Sequence, residues 1–482
     1  MKNARCTINR LPGEILAKVF EYVAMMTKVP SILKLQHVCR YWRRTLDIFP
    51  DPWSVVRVDE TTKYEAIDYC ILKSGSRPLT IAADPSPKVF EVLCKQLHRL
   101  RNLQMWSTGE DLDNEVLNLP APKLEVLSCW CSPTDPYSTP PLPLIFGGQT
   151  PCLRKLVLGG FVSWSPQFRN LVHIDIFGWG DMEDRQESST GLYDLVRLLQ
   201  ACPTLEILRL TDLDPWISWY NPSVSSRPAD IPVNLPNLRQ VFVARCSSGQ
   251  AIKLFECFRV PRGASLSLER IHHPVTRGSN AITTILDANP SPFLNLADLR
   301  FLTISFAVES RFASWSGPSG QLVVEFSGAL PQYQFLETFS LSQLSNRIQE
   351  LVILDCPAIM GAEWGQFLAA FPALQKLTLR CESKSSGILP ALSQDTGSSP
   401  RVHCPQLHSL HILDYLQLPT NPSSESEPFY KDILSCARSR HEVGYSIRDV
   451  RVTIRTSSNV GCMEKAAMEI GRFVEHVEVT QL

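Results

Sequence analysis

A short pattern of apolar positions recurs along the chain from about residue 79 onward. Each unit holds an apolar residue, two others, a second apolar residue, one other and a third apolar residue. The last two apolar positions are two residues apart, so they share one face of a short strand. Ten units follow the pattern, with these two positions at Leu103 and Met105, Leu127 and Cys129, Leu156 and Leu158, Ile174 and Ile176, Leu208 and Leu210, Val241 and Val243, Leu302 and Ile304, Leu351 and Ile353, Leu377 and Leu379, and Leu410 and Ile412.

Between many of these units, apolar residues recur instead at three- and four-residue steps, which indicates helices. The helical stretches are residues 88–100, 191–202, 251–258, 280–288, 363–371 and 429–440, and a last one at 462–479 is expected to cap the end of the array. Parallel strands need a crossover between them, usually a helix. The alternation of strand and helix therefore predicts an α/β protein with a parallel sheet.

The L-x-x-L-x-L core of the units resembles the leucine-rich repeat. The resemblance implies an irregular leucine-rich-repeat-like solenoid over residues 79–482, with parallel strands on the concave side and helices on the convex side. The array is irregular because successive units begin 18 to 61 residues apart. Stretches rich in Gly, Ser and Pro at 132–151, 219–232 and 382–400 are interpreted as loop insertions.

The N-terminal region follows a different pattern. Pro12 suits the first position of a helix and Glu14 suits its first turn. One broad apolar stripe follows, formed by Ile15, Leu16, Val19, Phe20 and Val23. The stripe packs either on the rest of the chain or on another protein, and the pattern alone favours an ordinary core-facing helix.

A second helix is expected to start after Ser31, which can cap it. Its apolar seam is formed by Leu35, Val38, Cys39, Trp42, Leu46 and Phe49. Pro50 and Pro52 end the element, and Trp53 follows as an anchor. Arg40, Arg43 and Arg44 lie on other faces, where a solvated surface is expected rather than a nucleic-acid site.

These two segments together resemble an F-box, the helical module that docks onto the Skp adaptor of cullin-based ubiquitin ligases. The Leu-Pro-x-Glu-Ile-Leu start and the Val-Cys-x-x-Trp-Arg block both match, whereas the trailing Pro-x-Leu-Trp keeps only its prolines and Trp53. The resemblance implies that the adaptor contacts Leu11, Pro12, Glu14, Ile15, Leu16 and Phe20. It also implies that Val38, Cys39 and Trp42 pack the helices together and partly face the adaptor.

The next segment resembles the one that follows the F-box in the expanded families of mushroom-forming fungi. There a helix ends in a Ser-Gly turn and leads into a Pro-Leu-x-Ile strand, which here corresponds to Ser74, Gly75, Pro78, Leu79 and Ile81. We therefore expect an F-box module at 6–55, a helical connector at 56–78 and the repeat domain at 79–482.

The composition indicates which kinds of partner and which cellular compartment to expect. The formal net charge of the 482 residues is −1, so no basic excess favours nucleic acid. No apolar run is long enough for a membrane span and no secretory signal is expected. Fifteen scattered cysteines are interpreted as reduced thiols of an intracellular protein, cytoplasmic or nuclear.

Enzyme signatures are absent from the sequence, so no catalytic residue, cofactor or metal is expected. Cys129 with Cys131, and His403 with Cys404, lack the second ligand pair that zinc sites usually show. His272 and His273 precede a proline in an expected loop. Five tryptophans fall in loop-like stretches and are either target contacts or covers of repeat ends: Trp164, Trp179, Trp216, Trp219 and Trp315.

Two functions remain open at this point. In the first, the chain is a non-catalytic substrate-recognition adaptor that binds a Skp-type adaptor, and through it a cullin, and captures an unknown protein target. In the second, it is a leucine-rich scaffold whose N-terminal helices only cap the solenoid, without a role in ubiquitination.

Overall fold

The computed structural model describes residues 6–27, 29–58, 62–107, 112, 114–132, 142–161, 167–178, 191–212, 232–261, 263–271, 299–305, 310–318, 320–327, 336, 345–355, 361–381, 387–393, 402–414, 427–454 and 460–481. These residues form a mixed α/β structure with mostly parallel strands, which confirms the expected class. The chain divides into two compact units, Met1–Asn237 and Leu238–Leu482.

The first unit begins with helices and continues as a parallel sheet. Its helices are α1 (Gly13–Met26), α2 (Val29–Leu35), α3 (Arg40–Ile48), α4 (Tyr64–Lys73), α5 (Pro87–Gln96) and α6 (Gly191–Gln200). Its strands are β1 (Val55–Val58), β2 (Leu79–Ala83), β3 (Leu100–Ser107), β4 (Val126–Cys131), β5 (Lys155–Gly159), β6 (His173–Phe177), β7 (Ile207–Thr211) and the short β8 (Val233–Asn234). Strands β1 to β7 pair in chain order, each parallel to the next.

The strand register explains why the apolar pattern repeats. Leu103 pairs with Leu127, and the same row continues through Leu156 and Ile174 to Leu208. All five side chains are fully buried. Each strand therefore adds one apolar side chain to a continuous buried row. A second row lies two residues further along each strand and runs from Met105 to Leu210.

The second unit combines parallel strands with one inserted hairpin. Its helices are α7 (Ser248–Cys257), α8 (Gly361–Ala369), α9 (Ile388–Leu392), α10 (Glu427–Glu442) and α11 (Val460–Ile470). Its strands are β9 (Gln240–Ala244), β10 (Phe258–Arg259), β11 (Ser265–Ile271), β12 (Phe301–Ser305), β13 (Ser310–Gly317), β14 (Gly320–Ser327), β15 (Glu350–Leu354), β16 (Lys376–Cys381), β17 (Ser409–Asp414), β18 (Asp449–Ile454) and β19 (His476–Gln481).

The hairpin of β13 and β14 lies between two parallel stretches of the second unit. β14 pairs parallel with β11, β13 is antiparallel to both β14 and β12, and β12 returns to parallel pairing with β15. Strands β15 to β19 then follow in chain order, each parallel to the next. The insertion lies in the long gap of the sequence pattern between Leu299 and Ile348.

All ten strands expected from the pattern form, but the helices differ from expectation in several details. Pro12 is the N-cap residue of α1, and Ser31 lies inside α2. The single second helix expected across Leu35–Phe49 is wrong, because α2 ends at Leu35 and α3 begins only at Arg40. Between them the chain makes a tight turn in which amides of residues 36–38 bond carbonyls three residues back.

Two further differences concern segments that were expected to be only helical. The segment after the first helices contains strand β1 in addition to α4, so the sheet begins at Val55. The last stretch is helical only to Ile470 and continues as strand β19. The segment 382–400 includes the short helix α9, and the expected helix at 280–288 lies outside the described residues.

Candidate partner-binding face

Helix α1 carries two apolar faces, of which only one is buried. Its buried residues are Leu16, Ala17, Phe20 and Ala24. A second row contains Ile15, Val19, Tyr22 and Met26, at steps of four, three and four residues that place them on one face. Ile15 is 51% exposed, Tyr22 64% and Met26 65%, with Val19 half-buried among them. We call these four residues the α1 stripe.

Exposed apolar side chains are frequent in the N-terminal segment that contains the α1 stripe. Of the fifteen large hydrophobic side chains exposed among the described residues, seven fall between residues 15 and 48. These seven are Ile15, Tyr22, Met25, Met26, Val38, Tyr41 and Ile48. Isolated exposed apolar residues are normal on a protein, whereas a concentration of them is typical of binding surfaces.

The region beneath the stripe is held by contacts between α1, α3 and the segment before α1. The rings of Phe20 and Trp42 lie with their centroids 5.0 Å apart. The indole Nε1 of Trp42 donates a hydrogen bond to Asn9 Oδ1 at 2.7 Å. The hydroxyl of Tyr41 donates to the carbonyl oxygen of Leu11 at 2.6 Å. These contacts fix Leu11 and Tyr41 beside the start of α1.

Trp53 joins the N-terminal helices to the first strand of the sheet. Its indole is fully buried and donates to the carbonyl oxygen of Leu46 at 2.7 Å. Its ring meets the ring of Tyr69 on α4 edge to face at 5.5 Å. Arg57 on β1 also donates to the carbonyl oxygen of Met25 at the end of α1. Helix α1 and its stripe are therefore attached to the first strand of the sheet.

The residues that the F-box resemblance assigned to the adaptor divide into two groups. Pro12, Glu14, Ile15 and Val38 are exposed, and Leu11, Cys39 and Trp42 are half-buried. Leu16 and Phe20 are fully buried within the chain itself. In the free chain these two side chains form the core that supports the exposed residues, and their assignment to the adaptor contact stays a prediction.

Tyr22, Met26 and Tyr41 are exposed on the same module but were not among the expected contacts. For Tyr22 and Met26, the sequence signal was the continued spacing from Ile15 at steps of seven and eleven residues, which equals whole helical turns. Tyr41 carried no such signal, because its proximity to Leu11 depends on the fold of α3 against the segment before α1.

The cysteines that suggested a metal site pack as apolar residues. Cys129 and Cys131 lie on β4 with buried thiols, and burial raises their pKa values to about 12 and about 11. Burial likewise raises the pKa of the Cys404 thiol to about 12, and this thiol contacts the carbonyl oxygen of Leu368 at 3.3 Å. Within the described ranges, no group of three or more His, Cys, Asp and Glu side chains is placed to hold a metal ion.

Of the five tryptophans expected in loops, only Trp315 can be placed. It is fully buried on β13, so its expected place in a loop is wrong. Trp164, Trp179, Trp216 and Trp219, which were proposed as target contacts, lie outside the described residues, as do His272 and His273. Among the described helices, none is long and apolar enough to cross a membrane.

No protein-family model matches the chain, and the search of curated proteins gives no match.

Proposed function

We propose that this chain is a substrate-recognition adaptor of a Skp–cullin–F-box ubiquitin ligase. In this proposal the N-terminal helices bind a Skp-type adaptor and the strand-rich remainder binds a target protein. The chain has no catalytic role of its own. It holds the target near a conjugating enzyme, which raises the effective concentration of the reacting groups.

The observation that carries the proposal is the exposed α1 stripe. A helix that only covered the end of a sheet would bury its apolar residues and present polar ones to water. In α1, a buried face and an exposed apolar face stand side by side. The exposed face includes Ile15, which belongs to the F-box motif, and it lies next to Pro12 and Leu11 of the same motif.

The proposed target-binding part is an irregular leucine-rich-repeat-like solenoid. The register of β3 to β7 supports this assignment, because equivalent apolar positions pair from strand to strand through five consecutive units. In solenoids of this kind the strands line an extended concave surface that binds other proteins.

The alternative function, a scaffold with a helical cap, is favoured by one observation. α1 and Trp53 pack directly against the first strand, β1, as a cap does. Capping and adaptor binding use different faces of α1, however, and a cap alone gives no reason for the α1 stripe to be apolar.

Co-purification with a Skp-type adaptor separates the two functions. The full chain is co-expressed with the adaptor as wild type, as Ile15→Asp and as Leu72→Asp. Leu72 on α4 is 77% exposed, so both substitutions place a carboxylate at an exposed aliphatic position of a helix. We expect Ile15→Asp to lose the adaptor and Leu72→Asp to keep it. If the Ile15→Asp chain co-purifies as well as wild type, or wild type does not bind at all, the adaptor function is wrong.

A further inference from the structure

One face of the sheet in the first unit carries an unusual row of aromatic residues. On β3 to β6 the paired positions are Trp106, Trp130, Gly159 and Phe177. Each directly follows a buried side chain of its strand, so it lies on the opposite face. Trp106 is exposed, and Trp130 and Phe177 are half-buried.

Gly159 allows two of these aromatic rings to meet across an intervening strand. A Cβ atom on Gly159 would overlap the ring of Trp130, so this ring lies over the backbone of β5. It reaches Phe177 on the next strand, where the centroids are 5.0 Å apart and the planes are inclined by 33°. The result is a partly exposed aromatic platform that spans three strands.

A cluster of cations borders this platform. The buried carboxylate of Asp175 lies two residues before Phe177 on the same face. It is 3.5 Å from Lys155 Nζ, 2.9 Å from His173 Nε2 and 3.9 Å from Arg209 Nε. One carboxylate thus contacts a lysine, a histidine and an arginine from three adjacent strands. The Asp175 side chain is only 9% exposed, whereas that of Arg209 is 49% exposed and that of Lys155 is 38% exposed. The two cations are therefore accessible to solvent and the carboxylate is not.

A further cation lies at the other end of the aromatic row. The guanidinium of Arg57 on β1 is 5.8 Å from the ring centre of Trp106. Among the described residues at the outward positions of β1 and β5 to β7, Arg57, Lys155 and Arg209 are cationic and Asp175 is the one carboxylate. This part of the sheet face is electropositive as well as aromatic.

The corresponding positions in the second unit are arranged differently. On β15 and β16, Lys376 Nζ lies 3.2 Å from Glu350. On β18 and β19, Arg451 lies 3.0 Å from Asp449 and 3.6 Å from Glu478. These cations each face carboxylates on their own or the next strand. An electropositive aromatic face is therefore not a general consequence of the strand pattern.

We propose that Trp106, Trp130, Phe177, Lys155, His173 and Arg209, the aromatic–basic patch, bind an acidic segment of a partner protein. An aromatic side chain of the segment stacks on Trp130 and Phe177, and its carboxylates meet Lys155 and Arg209. β3 and β7 are about 19 Å apart at a spacing of roughly 4.8 Å per strand, so about six extended residues span the patch. The inference rests on the proposed function only in naming this segment as part of the ligase target.

The test is a fluorescence-anisotropy titration of the full-length chain, without adaptor, using labelled hexapeptides. The probe is Asp-Glu-Trp-Glu-Asp-Glu, and the comparison peptides replace its tryptophan by alanine or its acids by Lys and Arg. We expect the probe to bind and both comparison peptides to bind at least about tenfold more weakly. Added salt should lower the affinity of the chain for the probe.

Variants of the chain make the test specific to the patch. Arg209→Glu and Trp130→Ala are each expected to lower the affinity for the probe about tenfold or more. Arg448→Glu reverses a 72% exposed charge in the second unit and is expected to stay within about twofold of wild type. Melting curves confirm that the variants fold.

The proposal is overturned if the probe does not bind, if the Lys/Arg peptide binds equally well, or if Arg209→Glu and Arg448→Glu cause equal losses. Binding only of a peptide in which phosphoserine replaces one of the acidic residues also overturns it. Because no adaptor is present, a failure of the F-box assignment leaves this titration unchanged. Arg209→Glu is in turn expected to keep adaptor co-purification.

Discussion

The ring of Trp42 lies against the ring of Phe20 with centroids 5.0 Å apart and planes inclined by 58°. Phe20 is fully buried and Trp42 half-buried, and the Trp42 indole also donates to Asn9. Trp42 therefore connects α3 to α1 and to the segment before α1. Its main role in the free chain is to hold the support of the α1 stripe together.

This contact gives a prediction for stability. We expect Trp42→Ala to lower the free energy of unfolding by about 2–3 kcal/mol, below the usual range for a fully buried Trp because Trp42 is half-buried. Trp42→Phe keeps the ring contact and loses the hydrogen bond, so a loss of about 1 kcal/mol is expected. Urea unfolding, together with hydrogen exchange of the α1 amides, measures both.

The control for Trp42 is the exposed Trp106. Trp106→Ala removes a ring of the same size from β3 and should leave hydrogen exchange in α1 unchanged. If Trp42→Ala behaves like Trp106→Ala in that exchange, the supporting role of Trp42 is wrong.

A second prediction concerns Gly159. We expect Gly159→Ala to destabilise the chain by about 1–3 kcal/mol, because the new methyl group displaces the ring of Trp130. In a Trp130→Ala background the same substitution should be neutral or slightly stabilising, since Ala is less flexible than Gly in the unfolded chain. A double-mutant cycle of unfolding free energies measures this coupling. Additive effects of the two substitutions would contradict the overlap.

How much of this arrangement the sequence could predict depends on the range of each interaction. Leu103, Leu127 and Leu156 were identifiable as strand core because their spacing is local and repeats. The pairing of Trp130 with Phe177 was not, because it needs the register of three strands and the absence of a side chain at Gly159. For the same reason, the sequence indicated no basic cluster around Asp175.

The errors in the helical and loop regions have equally physical causes. The apolar residues from Leu35 to Phe49 keep a helical spacing. This spacing does not distinguish one continuous helix from a turn followed by a new helix with a different axis. Trp315 stands among Ser and Gly residues, which favours a loop, although it lies two residues after buried Ala313 and shares its face of β13. Ile15 and Leu16 are adjacent in sequence, and only packing determines which of them is buried.

A third prediction concerns the buried arginine behind α4. Arg99 Nη1 donates to the carbonyl oxygens of Gly75 at 2.6 Å and Arg77 at 3.0 Å, where α4 ends. Arg99→Met leaves these carbonyl oxygens without this charged donor, so a loss of about 3 kcal/mol in unfolding free energy is expected. Arg99→Lys keeps the charge but not the forked geometry, and an intermediate loss is expected.

Arg101, two residues further on, is the matched control for Arg99. Its side chain is 58% exposed and pairs with Glu125 at 2.8 Å on the surface. Arg101→Met should change the unfolding free energy by no more than about 0.5–1 kcal/mol in urea titrations. Equal losses for Arg99→Met and Arg101→Met would contradict a structural role for the buried guanidinium.

The fourth prediction concerns thiol reactivity, because the nucleophile in alkylation is the thiolate. Burial raises the pKa of Cys129 to about 12, so at pH 8 only about one thiol in ten thousand is ionised. Cys257 and Cys404 have pKa values raised to about 12 for the same reason. Cys6, Cys94 and Cys152 are exposed. We expect iodoacetamide at pH 8 to alkylate the three exposed cysteines of the folded chain and to spare Cys129, Cys257 and Cys404.

Peptide mass spectrometry resolves the labelling of each cysteine, and a sample denatured in urea gives the full reactivity of every site. In that sample the six cysteines should react at similar rates, because unfolding removes the desolvation that keeps the buried thiols protonated. Raising the pH of the folded sample from 8 to 9 should leave Cys129 protected, since its thiolate remains a minor species. Alkylation of Cys129 in the folded chain as fast as that of Cys94 would show that β4 is not buried as described.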